Sequence, residues 1–308
     1  MRVAVIGAGI AGITCAQALR ARGLDVVVLD RGRVPGGRLA SRRFNGRYVD
    51  LGASYFTVTG PGFAAVVADW EARGLARPWT DRFHVYEVAR GSWRDAKTGP
   101  IRWAAPGGLR SLVVDLAAGL EIRQQTYVQN VRGGSVDGEQ FDAIVVAMPD
   151  PQALELLDPS LEQERTLLSD RPWDAVLVLA ARWAARTWDF DGVFVHGSDV
   201  LEWIADDGAR RGDGAPVLTA HSTPAFASTR LAVPAEAGPE MVAALCAMGL
   251  PEPAEVLRVQ RWSKAKPVGE RAALFALTPA GIGFCGDSWG SARVETAWRS
   301  GTALAQAL

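Results

Sequence analysis

The feature that most constrains this fold is a glycine-rich turn directly after the first apolar segment. Residues 3–6 are predicted as a strand, residues 7–12 read GAGIAG, and a helical stretch then ends near Arg22. A second apolar strand at residues 26–29 closes on Asp30. This order of strand, glycine turn, helix, strand and acid is typical of the unit that binds the ADP half of a dinucleotide.

The glycines of this turn have separate physical tasks. Gly7 allows a tight turn out of the strand, Gly9 lets a pyrophosphate approach the backbone, and Gly12 lets the helix pack close to the strand. The helix N-terminus offers free N–H groups and a partial positive charge to phosphates. Asp30 lies 18 residues after Gly12, near the spacing of about 20 at which an acid hydrogen-bonds a ribose hydroxyl.

Composition narrows the class of protein. The 308 residues are 48% hydrophobic, which suits one large or two medium domains with a core. A net charge of −1 with interspersed charges gives no reason to expect nucleic acid or a membrane as partner. Cys15, Cys246 and Cys285 share no metal-like spacing, so we predict buried thiols and no metal site. Sparse cysteines, no leader segment and no long apolar run together predict a cytoplasmic location.

Two further glycine segments favour FAD over NAD. Residues 33–39 (RVPGGRL) follow the second strand, and residues 48–56 (YVDLGASYF) come soon after. Paired glycines permit close backbone approach, and Arg38 can contact a phosphate or the flavin edge. Near the C-terminus Gly286 and Asp287 lie between an apolar strand and a closing helix. Asp287 can accept from ribityl hydroxyls, and the helix N-terminus favours negative charge on the flavin.

On these motifs the chain resembles the flavin-containing amine oxidase superfamily, and within it most the renalases and their bacterial relatives. The motifs keep family order: residues 7–12 with Asp30, 36–38, 50–53, 147–149, 286–287, 294–295 and 300–301. The resemblance implies an α/β fold, an interrupted Rossmann-type FAD-binding domain with a smaller substrate domain built on an antiparallel sheet with helices. We predict residues 1–62, 98–165 and 267–308 in the FAD-binding domain, and 63–97 and 166–266 in the substrate domain.

The resemblance also implies non-covalent FAD and a set of contact residues. These are Gly7, Gly9, Ile10, Ala11, Gly12, Asp30, Arg31, Gly37, Arg38, Leu39, Gly52, Ala53, Ser54, Val128, Ala147, Met148, Gly286, Asp287, Val294, Glu295 and Ala297. No side chain is assigned as catalytic. The pocket candidates are Tyr55, Phe56, His221 and Trp262, and core or sheet packing is the alternative for each. Lys264 and Lys266 either guide an anionic substrate or lie exposed on the surface.

A missing lysine shapes the predicted reaction. Amine oxidases of the superfamily typically carry a lysine near flavin N5 on a substrate-domain strand, and residues 175–183 contain none. The resemblance to renalases implies hydride transfer from a dihydronicotinamide, an isomer of NAD(P)H, to flavin N5, with O2 as acceptor and H2O2 as product. The alternatives are an amine oxidase or other superfamily oxidoreductase, and a non-catalytic FAD or NAD binder. The chain is expected to be a monomer or dimer.

Two local predictions in the middle of the chain are tested below. Residues 127–131 read as a short strand, and residues 208–214, which include Arg210 and Arg211, read as an exposed, solvated loop. From about residue 170 to 266, alternating apolar and polar residues separated by Gly, Asp and Pro turns predict the antiparallel sheet.

Overall fold

The computed structural model describes residues 1–169 and 171–308, without the side chains of residues 95 and 97. The helices are α1 (Ile10–Ala21), α2 (Pro61–Ala72), α3 (Leu109–Leu116), α4 (Asp150–Leu156), α5 (Glu162–Leu168), α6 (Asp207–Arg211), α7 (Pro224–Ser228), α8 (Gly238–Ala247) and α9 (Val294–Ala307). The strands are β1 (Arg2–Ile6), β2 (Asp25–Leu29), β3 (Ser41–Phe44), β4 (Arg47–Asp50), β5 (Arg77–Glu87), β6 (Ser92–Ala104), β7 (Glu121–Arg123), β8 (Val131–Arg132), β9 (Ser135–Val136), β10 (Glu139–Gln140), β11 (Ala143–Val146), β12 (Trp173–Arg182), β13 (Gly192–His196), β14 (Leu201–Asp206), β15 (Val217–Ser222), β16 (Glu255–Pro267), β17 (Ala276–Leu277) and β18 (Ile282–Phe284).

The first sheet has the strand order β17-β18-β11-β1-β2-β7 and is parallel except at the β17 edge. Its central strands are apolar throughout because both faces are covered. Val3 and Val5 of β1 pack in one core with α1 and α9, whereas Ala4 and Ile6 pack in another with residues of α4 and α5. This sheet confirms the predicted Rossmann-type architecture.

Glycines bring α1 against its neighbours at backbone distance. A Cβ atom on Gly12 would lie 2.0 Å from the carbonyl oxygen of Gly7, and one on Gly301 of α9 would lie 2.1 Å from that of Ala11. No side chain can be added at either position without moving backbone atoms. Gly12 therefore has the packing task that its place in the turn predicts.

The second sheet has the order β16-β12-β15-β14-β13-β5-β6. Its pairs are antiparallel, as predicted, except that β13 and β5 run parallel. Phe226 of α7, with Met241 and Leu245 of α8, packs on one face of this sheet. The other face is turned toward the first sheet and leaves the space described below.

The packing differs from the predicted domain boundaries at two points. Helix α2 was assigned to the substrate domain, but its buried residues Phe63, Val67 and Trp70 pack in the core formed by α1 and α9. Residues 98–104 were assigned to the FAD-binding domain, but they continue β6 in the second sheet. An apolar face in the sequence of a helix predicts that this face is buried, but it does not say against which sheet or helix. The tertiary fold decides which element packs there.

Two local predictions are wrong. The strand predicted at residues 127–131 is reduced to Val131, where β8 begins. The loop predicted at residues 208–214 contains most of helix α6, and its arginines are buried: Arg210 is 1% exposed and Arg211 is 6% exposed. The reason is a buried carboxylate on the same helix, described below.

Candidate functional site

A cavity of about 2290 Å³ lies between the two sheets. One side is lined by residues that follow the carboxyl ends of β1, β2, β11 and β18, the edge at which open α/β sheets bind ligands. The opposite side is formed by residues of β12, β15 and β16. All predicted cofactor residues except Gly12, Ser54 and Glu295 line this cavity, and so do all four pocket candidates.

The dinucleotide end of the cavity is a backbone cradle. A Cβ atom added to Gly9 or to Gly286 would meet nothing within 4 Å. Gly37, at a φ of +52°, lies so close to the turn that its Cβ would stand 3.2 Å from the Cα of Gly9. The N-terminus of α1, at Ile10 and Ala11, opens into the same space. These groups fit a pyrophosphate, which needs bare backbone and free N–H donors.

Asp30 lies at the cavity edge, and backbone amides hold its carboxylate. Its Oδ2 accepts from the N–H of Ala8 at 2.7 Å, and its Oδ1 accepts from the N–H of Gly32 at 2.6 Å. Each carboxylate oxygen has a second lone pair for a ribose hydroxyl. The acid therefore fixes the glycine turn at the edge of the cavity.

Glu295 differs from its prediction as a cofactor contact. The side chain is 3% exposed and turned toward the loop before α2. Its Oε2 accepts from the N–H of Thr59 at 2.8 Å and from the Thr59 hydroxyl at 2.7 Å, while Oε1 accepts from the N–H of Gly60 at 2.6 Å. The free N–H groups at the start of α2 attract the carboxylate, which ties α2 to α9.

Arg38 and Asp287 were predicted to contact the cofactor separately, but they pair with each other. The guanidinium Nη1 donates to Asp287 Oδ2 at 2.9 Å, and Nη2 donates to Oδ1 at 2.5 Å. Nη1 also donates to the carbonyl of Ala265 in β16 at 3.0 Å. A bidentate pair of this kind is strong and directional. It links the glycine segment, the C-terminal motif and the second sheet at the cavity wall.

The opposite wall is aromatic. Trp262 lines the cavity, and its Nε1 donates to the carbonyl of Leu51 at 2.5 Å, which fixes the indole. Tyr55 lines the cavity and packs against Phe83 with ring centroids 5.2 Å apart. Phe56 is 3% exposed and belongs to the first core as well as to the lining. Trp262 and Tyr55 therefore offer ring surface to a ligand, whereas Phe56 is mainly core.

His221 faces the cavity beside a small polar network. Its Nε2 lies 3.3 Å from the hydroxyl of Ser54, which also accepts from Nε1 of Trp203 at 3.0 Å. Burial, with the charges of Arg210 and Lys266, lowers the pKa of His221 to about 3. The imidazole is therefore neutral at ordinary pH and presents a hydrogen-bonding group rather than a charge.

This depressed pKa gives a testable dependence of stability on pH. His221 has a pKa of about 3 in the fold and 6.5 when unperturbed, so between these values the unfolded chain binds the extra proton. Stability is then full above the upper value and falls as the pH is lowered through this window. We expect His221→Gln to lose less stability on acidification than the wild type, measured by denaturant unfolding at several pH values.

The exposed His196 provides a matched control for that measurement. Its side chain is 56% exposed and lies 3.2 Å from Glu87. His196→Gln should keep the wild-type loss of stability on acidification. Equal slopes for wild type and His221→Gln would remove His221 from this role.

A buried ionic cluster supports the cavity wall, and sequence reasoning missed it. Asp207 is fully buried and accepts from Arg47 at 2.6 Å, Arg210 at 2.7 Å and Arg211 at 3.0 Å. Arg210 also donates to the carbonyl of Ser54 at 2.8 Å. The signal was available, because an acid followed three and four residues later by arginines has the spacing of ion pairs on a helix.

The cavity carries a strong excess of positive charge. Eleven lysines and arginines line it, against four carboxylates. Lys264 and Lys266 are among them, half-buried rather than exposed, and Lys266 Nζ lies 3.1 Å from Glu202 Oε1. A cavity of this charge favours an anionic ligand.

Comparisons with known proteins agree with this geometry. A family profile described as an NAD(P)-binding Rossmann-like domain matches residues 5–70. Renalase of Mus musculus is 31% identical over 176 residues, covering 50% of this chain and 49% of that protein. Hydroxyneurosporene desaturase of Rubrivivax gelatinosus is 41% identical over 96 residues, covering 30% of this chain and 17% of that protein. The resemblance to the flavin amine oxidase superfamily is confirmed.

The likeness of fold to solved structures extends over the whole chain. The solved structure of a putrescine oxidase superposes with a TM-score of 0.76 at 16% identity, covering 100% of this chain and 99% of that one. An oxidoreductase from Methanosarcina mazei gives a TM-score of 0.76 at 12% identity, covering 99% of this chain and 100% of that one. At such identities the likeness shows the shared fold. The chain spans about half the length of the renalase and less than a fifth of the desaturase in these matches.

Two kinds of feature are absent from the described residues. Within residues 1–169 and 171–308, no helix is long and apolar enough to span a membrane. The same part of the chain has no group of three or more His, Cys, Asp or Glu side chains placed to hold a metal ion.

Proposed function

We propose that this protein is an FAD-dependent oxidoreductase of the renalase type that oxidises a dihydronicotinamide. The observation that carries the proposal is one continuous cavity. It joins a dinucleotide cradle at the edge of the first sheet to an aromatic, cationic wall on the second. A single cavity of this form accommodates a bound cofactor and an anionic donor facing each other.

The chain's own residues account for FAD binding. The N–H groups at the N-terminus of α1 would bind the pyrophosphate. The bare backbone of Gly9 and Gly286 would leave room for the pyrophosphate and for the adjoining part of FAD. Asp30 would accept from a ribose hydroxyl, and its negative charge disfavours a 2′-phosphate at that place. The binding proposed here is non-covalent.

The charge and residue types of the far wall favour a nucleotide donor. An excess of lysine and arginine attracts phosphates and repels the ammonium group of an amine substrate. Strand β12 contains no lysine, unlike the corresponding strand expected of amine oxidases. Trp262 offers a flat indole on which a nicotinamide ring can stack.

FAD, when bound, would supply the two-electron chemistry by which the hydride of the donor carbon and one proton from solvent reduce O2 to H2O2. The protein's part is positioning. Trp262 and Tyr55 would hold the ring, and neutral His221 would hydrogen-bond its polar substituent while Ser54 and Trp203 fix the imidazole. A dihydronicotinamide is already a hydride donor, so orientation matters more than a strong base.

Anaerobic rapid mixing tests this proposal. We expect NADH, NADPH or one of their isomers to bleach the visible flavin band of the purified holoenzyme, and admission of O2 to restore the band with release of H2O2. If none of these donors bleaches a fully FAD-loaded protein, the substrate assignment is wrong. Bleaching by an amine panel instead would make the protein an amine oxidase.

The remaining alternatives are distinguished by the same preparation. A colourless protein that takes up no FAD would be an NAD binder, and a yellow protein that no donor reduces would be a non-catalytic flavin binder. A cytoplasmic location and a monomeric or dimeric state remain predictions, checked by fractionation and by light scattering.

A further inference from the structure

We infer that the cavity contains a phosphate subsite distinct from that of FAD, formed by Arg42 and Arg110 with Arg258 at its rim. It would hold a phosphate of the hydride donor, an inference that rests on the proposed function. Arg42 lies on β3, Arg110 in the first turn of α3, and Arg258 on β16. Arg42 and Arg110 line the cavity, and Arg258 precedes the lining residue Gln260 by two positions.

Arg42 lies near both Arg110 and Arg258. The hydroxyl of the adjacent Ser41 accepts from the N–H of Arg110 at 3.3 Å. Burial and then the positive charges of Arg258 and Arg110 lower the pKa of Arg42. Burial is also the main cause that lowers the pKa of Arg110, and it outweighs the opposite effect of the nearby Asp50 carboxylate and of Tyr48. In the described part of the chain, no ion pair within 4.0 Å joins any of the three to a carboxylate. Arginine stays protonated, so their repulsion persists until an anion lies between them.

The nearby buried arginine cluster has an acid of its own. Arg47, Arg210 and Arg211 are also close together, but they share the carboxylate of Asp207. The acid near Arg110 is Asp50, and its carboxylate already accepts from the Ser41 hydroxyl at 2.5 Å and pairs with Arg211 at 3.3 Å. An external anion would therefore complete the charge balance of Arg42, Arg110 and Arg258. Doubly hydrogen-bonding guanidinium groups suit the oxygens of a phosphate.

Arg110 has an additional unmet donor. Its Nε is buried and has no hydrogen-bond partner among the described residues. A buried N–H left without an acceptor costs free energy, so an incoming oxygen would be stabilised there. Arg258 donates from Nε to Gln260 Oε1 at 3.3 Å, which leaves its terminal nitrogens for a ligand.

The position of Arg42 separates this subsite from the FAD pyrophosphate. The pyrophosphate cradle is at the α1 N-terminus, whereas β3 pairs with β4 in the register Arg42–Val49. The chain continues from β4 to Leu51, whose carbonyl holds Trp262. Strand β3 is therefore paired with the strand that leads to the residue holding Trp262, the ring against which we place the nicotinamide. Arg110 packs beside Gly36 and is the member nearest to the cofactor cradle.

The test uses the FAD-loaded protein with Arg42→Ala and Arg258→Ala, and Arg90→Ala as the matched control. Arg90 is an exposed arginine in the short 3-10 helix Val88–Arg90 that follows β5, and it is not among the residues that line the cavity. In calorimetric titrations with inorganic pyrophosphate, we expect wild type and Arg90→Ala to bind equally. Arg42→Ala and Arg258→Ala should each weaken binding about tenfold or more, within the range for charge-assisted hydrogen bonds.

Donor selectivity gives a second readout. We measure the apparent affinities of NADPH and of uncharged N-benzyl-dihydronicotinamide by anaerobic reduction of the flavin. The wild type should bind NADPH more tightly than the uncharged donor, and Arg42→Ala should lose most of this preference. Pyrophosphate binding that is lost in Arg42→Ala would support the subsite even if no dihydronicotinamide reduces the flavin, in which case only the proposed function fails. Equal pyrophosphate affinity in all four proteins would overturn the inference. So would a loss of FAD, rather than of pyrophosphate, in Arg42→Ala and Arg258→Ala.

Discussion

Gly9→Val is expected to abolish FAD binding without unfolding the protein. Gly9 has ordinary extended backbone angles, φ −76° and ψ 174°, and an added Cβ meets no atom within 4 Å. The valine side chain is therefore tolerated by the fold but occupies the space through which a pyrophosphate must approach. We expect affinity to fall at least a hundredfold, about 3 kcal/mol, read from the visible flavin band in an FAD titration.

Gly133 supplies the matched control for this substitution. An added Cβ there also meets nothing within 4 Å, and the residue is outside the cavity lining. Gly133→Val should keep full FAD occupancy. Gly12→Val should instead unfold the protein, because its Cβ would lie 2.0 Å from a backbone oxygen. A yellow, fully loaded Gly9→Val protein would show that the pyrophosphate does not lie at this turn.

Asp207→Asn is expected to cost about 3–5 kcal/mol of unfolding free energy, the range for removing one partner of a buried ion cluster. Arg210 is 1% exposed and Arg211 is 6% exposed, so without the carboxylate they would remain buried charges. Urea unfolding measures the loss. Because Arg210 also holds the Ser54 carbonyl, the variant should disturb the His221 wall as well.

The pH dependence of the same cluster has a definite sign. Burial alone would raise the pKa of Asp207, but the charges of Arg210, Arg211 and Arg47 outweigh it and hold that pKa below its usual value. A depressed carboxyl pKa stabilises the fold above the unfolded value, and this stability is lost as the pH falls through the folded value. Asp207→Asn should therefore lose less stability in acid than the wild type.

Asp213 provides the control for the Asp207 prediction. It also pairs with Arg47, at 2.7 Å, but its side chain is 42% exposed. Asp213→Asn should cost less than about 1 kcal/mol, because water replaces an exposed partner. If Asp207→Asn unfolds with the same urea midpoint as the wild type, the buried cluster does not have the stabilising role given to it here.

Local sequence was sufficient for the dinucleotide half of the site. The turn at residues 7–12, the helix after it and the acid at the end of β2 depend on neighbours within about one turn or strand. The glycine pattern and apolar periodicity therefore predict them directly. The strands of the second sheet between residues 170 and 266 follow from the same local signals.

Partner choice between distant segments was not available from the sequence. Glu295 was predicted as a cofactor contact, yet the backbone N–H groups of residues 59 and 60 donate to its carboxylate. Arg38 and Asp287 carry opposite charges that each suit a ligand, yet they are 2.5 Å apart and bind each other. Helix α2 joins the first core although its sequence neighbours form the second sheet.

The sequence by itself predicted the class of ligand, because a pyrophosphate requires bare backbone at a helix start and only glycine supplies it. The tertiary structure decided what faces that ligand. The sequence predicted a solvated loop at Arg210 and Arg211. In the structure both side chains are buried, because they pair with the carboxylate of Asp207. Arg42, Arg110 and Arg258 lie far apart in the chain and become one cationic group only where three elements meet. Electrostatic energy depends on distance through space, and that distance is fixed only by folding.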